Sequence, residues 1–162
     1  MTGAGGCIGS ALAKAILESD PRLVILLDHS EQNLYEVHSD LTAGCSRPLH
    51  VPVLGDISDD ALLTELFEKY RPDTVYHAAA FKHVPLMEAN PIAVVRNNAL
   101  GTLALAKAAL EHDVQRLVMI STDKAVNPRS VMGASKHVAE LVLLRLSNSR
   151  TRMSALRLGN VL

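Results

Sequence analysis

The chain has 162 residues, 48% of them apolar and 20% charged, with a formal net charge of -1. That length suits one domain with a real core, and the near-neutral charge gives no basis for binding nucleic acid or an anionic membrane. No apolar run approaches the ~18–20 residues that span a bilayer, Met1 leads straight into a glycine-rich turn rather than a signal peptide, and Cys7 and Cys45 read as free thiols of a reducing compartment.

In chain order, the turn "TGAGGCIGS" opens a helical pattern over 7–19. The apolar run "RLVILLD" (22–28) follows, then helical period over 31–43, the run "LHVPVLGD" (49–56) and helical period over 58–69. "TVYHAAA" (74–80) precedes a long helical stretch at 92–112, with Pro91 suited to its first turn. "QRLVMIST" (115–122), a helix over 133–148 and "RMSALRLGN" (152–160) complete the pattern, while Pro72 and Pro128 punctuate loops. Short runs rich in Val, Ile and Leu suit strands buried on both faces. Their alternation with helices predicts an α/β fold, a Rossmann-like doubly wound parallel sheet. A glycine turn of this kind normally follows a buried strand, and the chain stops just after its last one. The expectation is therefore a single dinucleotide-binding domain over 1–162, truncated at both ends, without its first strand and most of a substrate region.

Gly3, Gly6 and Gly9 recur at three-residue intervals before a helix. A pyrophosphate site needs this: one glycine for the turn, one for close backbone approach, one for helix–sheet packing. The helix start adds free N–H groups and partial positive charge. Gly3, Gly6, Cys7, Ile8 and Gly9 are the candidate cradle; the plainer alternative is a flexible glycine-rich N-terminus. Asp28 ends the next apolar run, 19 residues past Gly9, where an acid accepts hydrogen bonds from the adenosine ribose. His29 and Ser30 stand beside it. Asp56 and Ile57 fall where an adenine would sit. Ala78, Ala79 and Ala80 permit close cofactor approach, or are mere packing. The expected cofactor is NAD or NADP, with NAD favoured because the Asp28 carboxylate repels a 2′-phosphate.

The stretches "TGAGGCIGS", "LLDHSEQNLYE", "YRPDTVYHAAAFKHVPLMEANPIAVVRNNALGT", "STDKAVNP" and "VMGASK" cover nearly the whole chain. In combination the sequence resembles the extended short-chain dehydrogenases/reductases. More narrowly, it resembles the membrane-anchored nucleoside-diphosphate-sugar 4,6-dehydratases of bacterial polysaccharide biosynthesis. The resemblance implies that Lys136 holds the nicotinamide ribose, and that Met132 stands where most of the superfamily has a proton-exchanging tyrosine. A thioether is neither acid nor base. The anchored subgroup resembles this chain in carrying methionine there, and restoring the phenol with Met132→Tyr is expected to raise turnover.

"STDKA" leaves the C-terminal end of a strand, where open parallel sheets place ligands. By resemblance, Thr122 bonds the sugar 4-hydroxyl, Asp123 protonates the departing 6-hydroxyl if burial keeps it neutral, and Lys124 removes the C5 proton. The implied reaction converts a UDP-linked N-acetylglucosamine to a 4-keto-6-deoxy sugar. The alternatives are a nucleotide-sugar 4-epimerase and a non-catalytic dinucleotide-binding fragment. Lys82 and His83 are candidates for the sugar site, against a reading as solvated loop residues. Asn98 sits mid-helix, where asparagine is unfavourable; a polar contact to the active-site strand would explain it, and it joins the cofactor set. Asn160 matches a residue that contacts the substrate diphosphate in relatives. The helices at 92–112 and 133–148 match a dimer interface of relatives, so a homodimer is expected. Relatives carry transmembrane helices upstream, which places this domain on the cytoplasmic face. The seven histidines show no metal-binding spacing.

Overall fold

The computed structural model describes residues 1–43 and 49–159. Its elements are α1 (Cys7–Glu18), β1 (Val24–Asp28), α2 (Glu31–Thr42), β2 (His50–Leu54), α3 (Asp60–Tyr70), β3 (Thr74–His77) and α4 (Val84–Glu88). They continue with α5 (Pro91–Val94), a π-helical turn (Val95–Leu100), α6 (Gly101–Glu111), β4 (Arg116–Thr122), a 3₁₀ turn (Asp123–Ala125), α7 (Val131–Leu146) and β5 (Arg152–Leu158). Parallel strands joined through helices give the expected Rossmann-like α/β class. Two compact units carry these elements: Met1–Asp56 with His77–Ala79, and Ile57–Tyr76 with the chain from Ala80 onward.

In the first unit β1 pairs in parallel with β2, from Val24 opposite His50 to Asp28 opposite Leu54. Residues 1–4 run as a further short extended segment. Thr2 bridges Leu27 and His77, Leu27 N–H donates to the Met1 carbonyl at 2.8 Å, and Ala78 N–H donates to the Thr2 carbonyl at 2.9 Å. α1 and α2 cover this sheet with apolar faces, and Ala4, Ala13, Val24, Leu26, Leu34 and Val37 form the core. Ser30 starts α2 by accepting the Asn33 N–H at 3.3 Å, which removes one unsatisfied donor from the helix end.

The second unit holds strands in the order β3-β4-β5. β4 and β5 run parallel, from Arg116 opposite Arg152 to Thr122 opposite Leu158. Leu117 and Met119 of β4 are buried, as are Leu105 of α6 and Leu143 of α7; a buried side chain of this size contributes roughly 1.5–3 kcal/mol. Asp59 caps α3 through the Leu62 N–H and Ser130 caps α7 through the Gly133 N–H, both at 3.0 Å.

Two features depart from the expected pattern. Residues 92–112 are helical nearly throughout, but six of them, Val95–Leu100, form a π turn. Such a turn is wider than an α turn, and here it carries Asn97 and Asn98 into the interior. The segment after β3 also contains α4, which starts with a proline in its first turn and whose five residues are too few to show a helical period.

Candidate active site

The glycine turn lies in the first unit. Gly3 has φ +66°, and a Cβ there would strike the backbone of Ala78 and Ala79; a left-handed residue in such close approach has to be glycine. A Cβ on Gly9 would strike the Gly3 carbonyl oxygen, and one on Gly5 would fall 2.5 Å from the Asn33 Cβ. Gly6 differs. A Cβ there would meet only the Gly3 oxygen, at 3.4 Å, an ordinary contact. Packing therefore requires three of these glycines and makes no demand on Gly6. Gly6 also N-caps α1 without any side-chain cap, so the first-turn N–H groups at Cys7, Ile8 and Gly9 rely on other partners. An open backbone face beside a positively polarised helix start fits a pyrophosphate.

Asp28 ends β1 and is buried. Its Oδ2 accepts the Gly5 N–H at 2.8 Å and its Oδ1 accepts the Ser30 N–H at 2.9 Å. The carboxylate thus braces the glycine turn and the start of α2, and each oxygen retains a second lone pair for a ribose hydroxyl. Exposed His29 lies with its Nδ1 3.9 Å from Asp28 Oδ1. Asp56 is exposed in the loop after β2. The Ile57 side chain is buried, and a Cβ on Gly101 would come within 2.7 Å of its Cδ1. It packs into the core of the second unit.

The remaining candidates lie in the second unit. Thr122 closes β4. Its hydroxyl donates to Asp123 Oδ1 at 3.0 Å and accepts the Lys124 N–H at 3.3 Å. Lys124 Nζ lies 3.2 Å from the same Asp123 oxygen. The Thr122 hydroxyl, and then Lys124, hold the Asp123 carboxyl below its ordinary range. The expectation of a neutral, buried Asp123 is corrected: its side chain is 58% exposed, and both neighbours favour the carboxylate.

Lys136, one of the buried residues at 4% exposure, donates from Nζ to the Ile120 carbonyl at 2.7 Å. Ile120 precedes Thr122 by two residues on β4, so the lysine and the Thr-Asp-Lys turn share one end of that strand. Burial lowers the Lys136 pKa from 10.5 to about 8, against an opposing pull from Glu140. Met132 is also 4% exposed and packs in an apolar cluster with Met87 and Val94, flanked by Phe81, Val84 and Val131. A thioether in that cluster packs against apolar neighbours and has no proton to exchange.

Asn98 is 1% exposed. Its Oδ1 accepts the Phe81 N–H at 2.8 Å, and its Nδ2 donates to the Phe81 carbonyl and to Ser135 Oγ, each at 3.0 Å. The polar contact exists, but it reaches the segment after β3 and helix α7, not the active-site strand. With its amide engaged in this way, Asn98 holds the scaffold in place. Ala80 precedes Phe81 and is half-buried, whereas Lys82 and His83 are exposed. Asn160 lies outside the described residues. Among the described residues no group of three or more His, Cys, Asp or Glu is placed to hold a metal ion.

A family model described as polysaccharide biosynthesis protein matches residues 1–162. The chain belongs to that family. It is 47% identical over 165 residues to the capsular polysaccharide biosynthesis protein CapD of Staphylococcus aureus, with all of this chain and 28% of CapD covered. It is 32% identical over 166 residues to an inverting UDP-N-acetylglucosamine 4,6-dehydratase of Campylobacter jejuni, covering 99% of this chain and 48% of that enzyme. Among solved structures, UDP-glucose 4-epimerase from Brucella ovis in complex with NAD superposes with a TM-score of 0.80 at 27% identity, over 96% of this chain and 50% of that one. The chain spans about half or less of each of these proteins.

Several further residues build the site. Gly133 is one: a Cβ there would strike the Lys124 carbonyl oxygen, so α7 begins directly against the 3₁₀ turn. Glu88 of α4 is another, accepting the Val131 N–H at 2.7 Å and adding to the cap on α7. Ser135 links Asn98 to the Met132 carbonyl, to which it donates at 2.7 Å. A small residue one turn before a lysine was the only signal available for Gly133, and no local pattern marks Glu88.

Proposed function

We propose that residues 1–162 are the dinucleotide-binding and catalytic part of an NAD(P)-dependent nucleotide-sugar 4,6-dehydratase acting on a UDP-linked N-acetylglucosamine. The observation that carries this reading is the Thr122-Asp123-Lys124 turn beside a buried Lys136 at one end of β4. The 32% identity to a protein named for that reaction supports it. The bound nicotinamide dinucleotide supplies the acceptor of hydride from C4 and the donor that returns it to C6.

Gly3, Gly6, Cys7, Ile8 and Gly9 would hold its diphosphate, Asp28 with Ser30 its adenosine ribose, Ala78, Ala79 and Ala80 its path along the sheet, and Lys136 its nicotinamide ribose. Asp28 favours NAD over NADP, because a 2′-phosphate would meet a carboxylate already fixed in place.

The ionised Asp123 resolves the proton problem left by Met132. Thr122 bonds the 4-hydroxyl and passes its proton to the Asp123 carboxylate as C4 is oxidised. Once the Asp123 carboxylate is protonated it no longer holds Lys124 as an ammonium; Lys124 then gives a proton to water and takes the C5 proton that the new ketone acidifies. Asp123, now protonated, gives its proton to the 6-hydroxyl, which leaves as water. Lys124 returns a proton to C5 as C6 is reduced, and the cycle closes without a phenol. Lys82, His83 and Asn160 remain candidates for the sugar and its diphosphate.

The test is product analysis after incubation with UDP-N-acetylglucosamine and NAD. A product lighter by one water supports the dehydratase. A product of unchanged mass means the 4-epimerase, the second reading favoured by the structural likeness to an epimerase. No conversion and no NAD binding would leave a non-catalytic domain.

Apolar side chains on the outer faces of the helices, Ile92 and Val95 together with Val138, Leu141 and Leu144, are exposed. They support a homodimer through helices 92–112 and 133–148. No helix among the described residues is long and apolar enough to cross a membrane, and any membrane attachment is proposed to lie in other segments, with this domain on the cytoplasmic face.

A further inference from the structure

Lys136 and Glu140 stand one turn apart on α7, and two consecutive β4 residues grip them. The Ile120 carbonyl accepts from Lys136 Nζ at 2.7 Å, and Ser121 Oγ donates to Glu140 Oε1 at 2.6 Å. Arg157 of β5, which pairs with Ser121 across the strands, closes a fork on the same carboxylate. Its Nε lies 3.0 Å from Oε1, and its Nη2 lies 2.6 Å from Oε2. The Glu140 side chain is only 10% exposed. It therefore sits as a fixed anion between α7 and the β4–β5 pair, and bidentate geometry of this kind is both strong and directional.

We propose that Glu140 is a positioning residue of this site, its clamped carboxylate supplying the counter-charge that keeps the buried Lys136 side chain an ammonium seated on the Ile120 carbonyl. The inference rests on the reading of Lys136 as the ribose-holding residue. A lysine with almost no water around it is costly to charge. The Ile120 carbonyl supplies a dipole, and Glu140 supplies a full negative charge. The other charged or titratable groups on the elements packed against α7 are His137 and Arg145 of α7 itself, Arg152 and Arg157 of β5, Arg116 of β4, Lys107 and Glu111 of α6, Glu88 of α4, Arg96 of the π turn, and Asp123 and Lys124 of the 3₁₀ turn. Arg157 works against the lysine charge, so the carboxylate has to outweigh it. A role as a mere tie between helix and sheet would make Glu140 and Arg157 equivalent. The proposed role gives them opposite signs.

The experiment is a carbon-13 NMR titration of the Lys136 ε-methylene in the wild-type chain, Glu140→Gln and Arg157→Ala, without cofactor or substrate. Glutamine preserves the shape and the Ser121 bond, and the Arg157 side chain is half-exposed. In Glu140→Gln the Lys136 midpoint falls by about one pH unit, the usual scale for removing a nearby opposite charge. In Arg157→Ala it stays or rises. An unchanged midpoint in Glu140→Gln overturns the proposal. A fall in Arg157→Ala also overturns it, and that variant decides the matter alone if the glutamine variant fails to fold. Because the titration reads the lysine directly, a failure here leaves the dehydratase reading intact, and an unchanged product mass would leave the Glu140 result standing.

Discussion

Asn98 brackets Phe81, accepting its N–H at 2.8 Å and donating to its carbonyl at 3.0 Å. One side chain thereby satisfies both backbone groups of a residue outside any strand, and its second donor reaches Ser135, next to Lys136. Replacing Asn98 with alanine removes its bonds to both Phe81 backbone groups, to Ser135 and to Asn97. The expected loss is about 1–3 kcal/mol, the cost of a buried group without its bond. Urea unfolding measures it, and a loss below the experimental error would mean that water takes over the Asn98 bonds.

The glycines separate fold from ligand. Gly3→Ala forces a side chain into the Ala78–Ala79 backbone from a left-handed conformation, so its thermal midpoint should drop sharply. Gly6→Ala meets only an ordinary contact, and its stability should stay within about 1 kcal/mol of wild type. Its affinity for NAD should nevertheless fall at least tenfold. Equal affinity in Gly6→Ala and wild type would remove the pyrophosphate from this turn.

Asp123 is held ionised by the Thr122 hydroxyl first and Lys124 second. A depressed carboxyl keeps its charge to lower pH, so the acid limb of the pH–rate profile should lie below the ordinary carboxylate range. Thr122→Val should move that limb upward. Asp123→Asn should cost about 10²–10⁴ in turnover, the range for one general acid–base group, with little change in melting temperature because the side chain is exposed.

Lys136 titrates near 8 in the folded chain instead of 10.5. Between those values the unfolded chain binds more protons, so stability rises with pH across the window, by about 3 kcal/mol in full. Below pH 8 the charging penalty is fully present. Lys136→Met should flatten this dependence. Unfolding curves collected between about pH 7 and pH 10 check it, and an equally steep rise in the variant would place the titrating group elsewhere.

Met132→Tyr should trade stability for rate. The cluster with Met87 and Val94 is closed, and overfilling it costs about 1–3 kcal/mol, while the added phenol one turn from Lys136 should raise turnover. An unchanged rate with cofactor still bound would show that the phenol has no access to the sugar.

The strands were legible because apolar runs such as "VILLD" and "RLVMIST" have no other way to hide their side chains. The π turn was not legible. Its one-residue excess leaves the apolar period nearly unchanged, and Asn98 betrayed only that something polar awaited it. Asp28 was readable as an acid at a strand end, but its brace on Gly5 depends on where the chain returns in space. Met132 and Lys136 lie four residues apart on α7 and share one helix face. What that face meets, apolar cluster at one turn and strand carbonyl at the next, is a matter of packing that spacing does not encode.

Gly133 lies with its backbone directly on the Lys124 carbonyl, so the turn proposed to bear the acid–base pair and the helix that bears Lys136 are packed with no side chain between them. A residue inserted into or removed from either piece would shift both at once. Variation of the proposed chemistry on this scaffold would then come from exchanging side chains at fixed stations, one atom set for another, rather than from changing loop length.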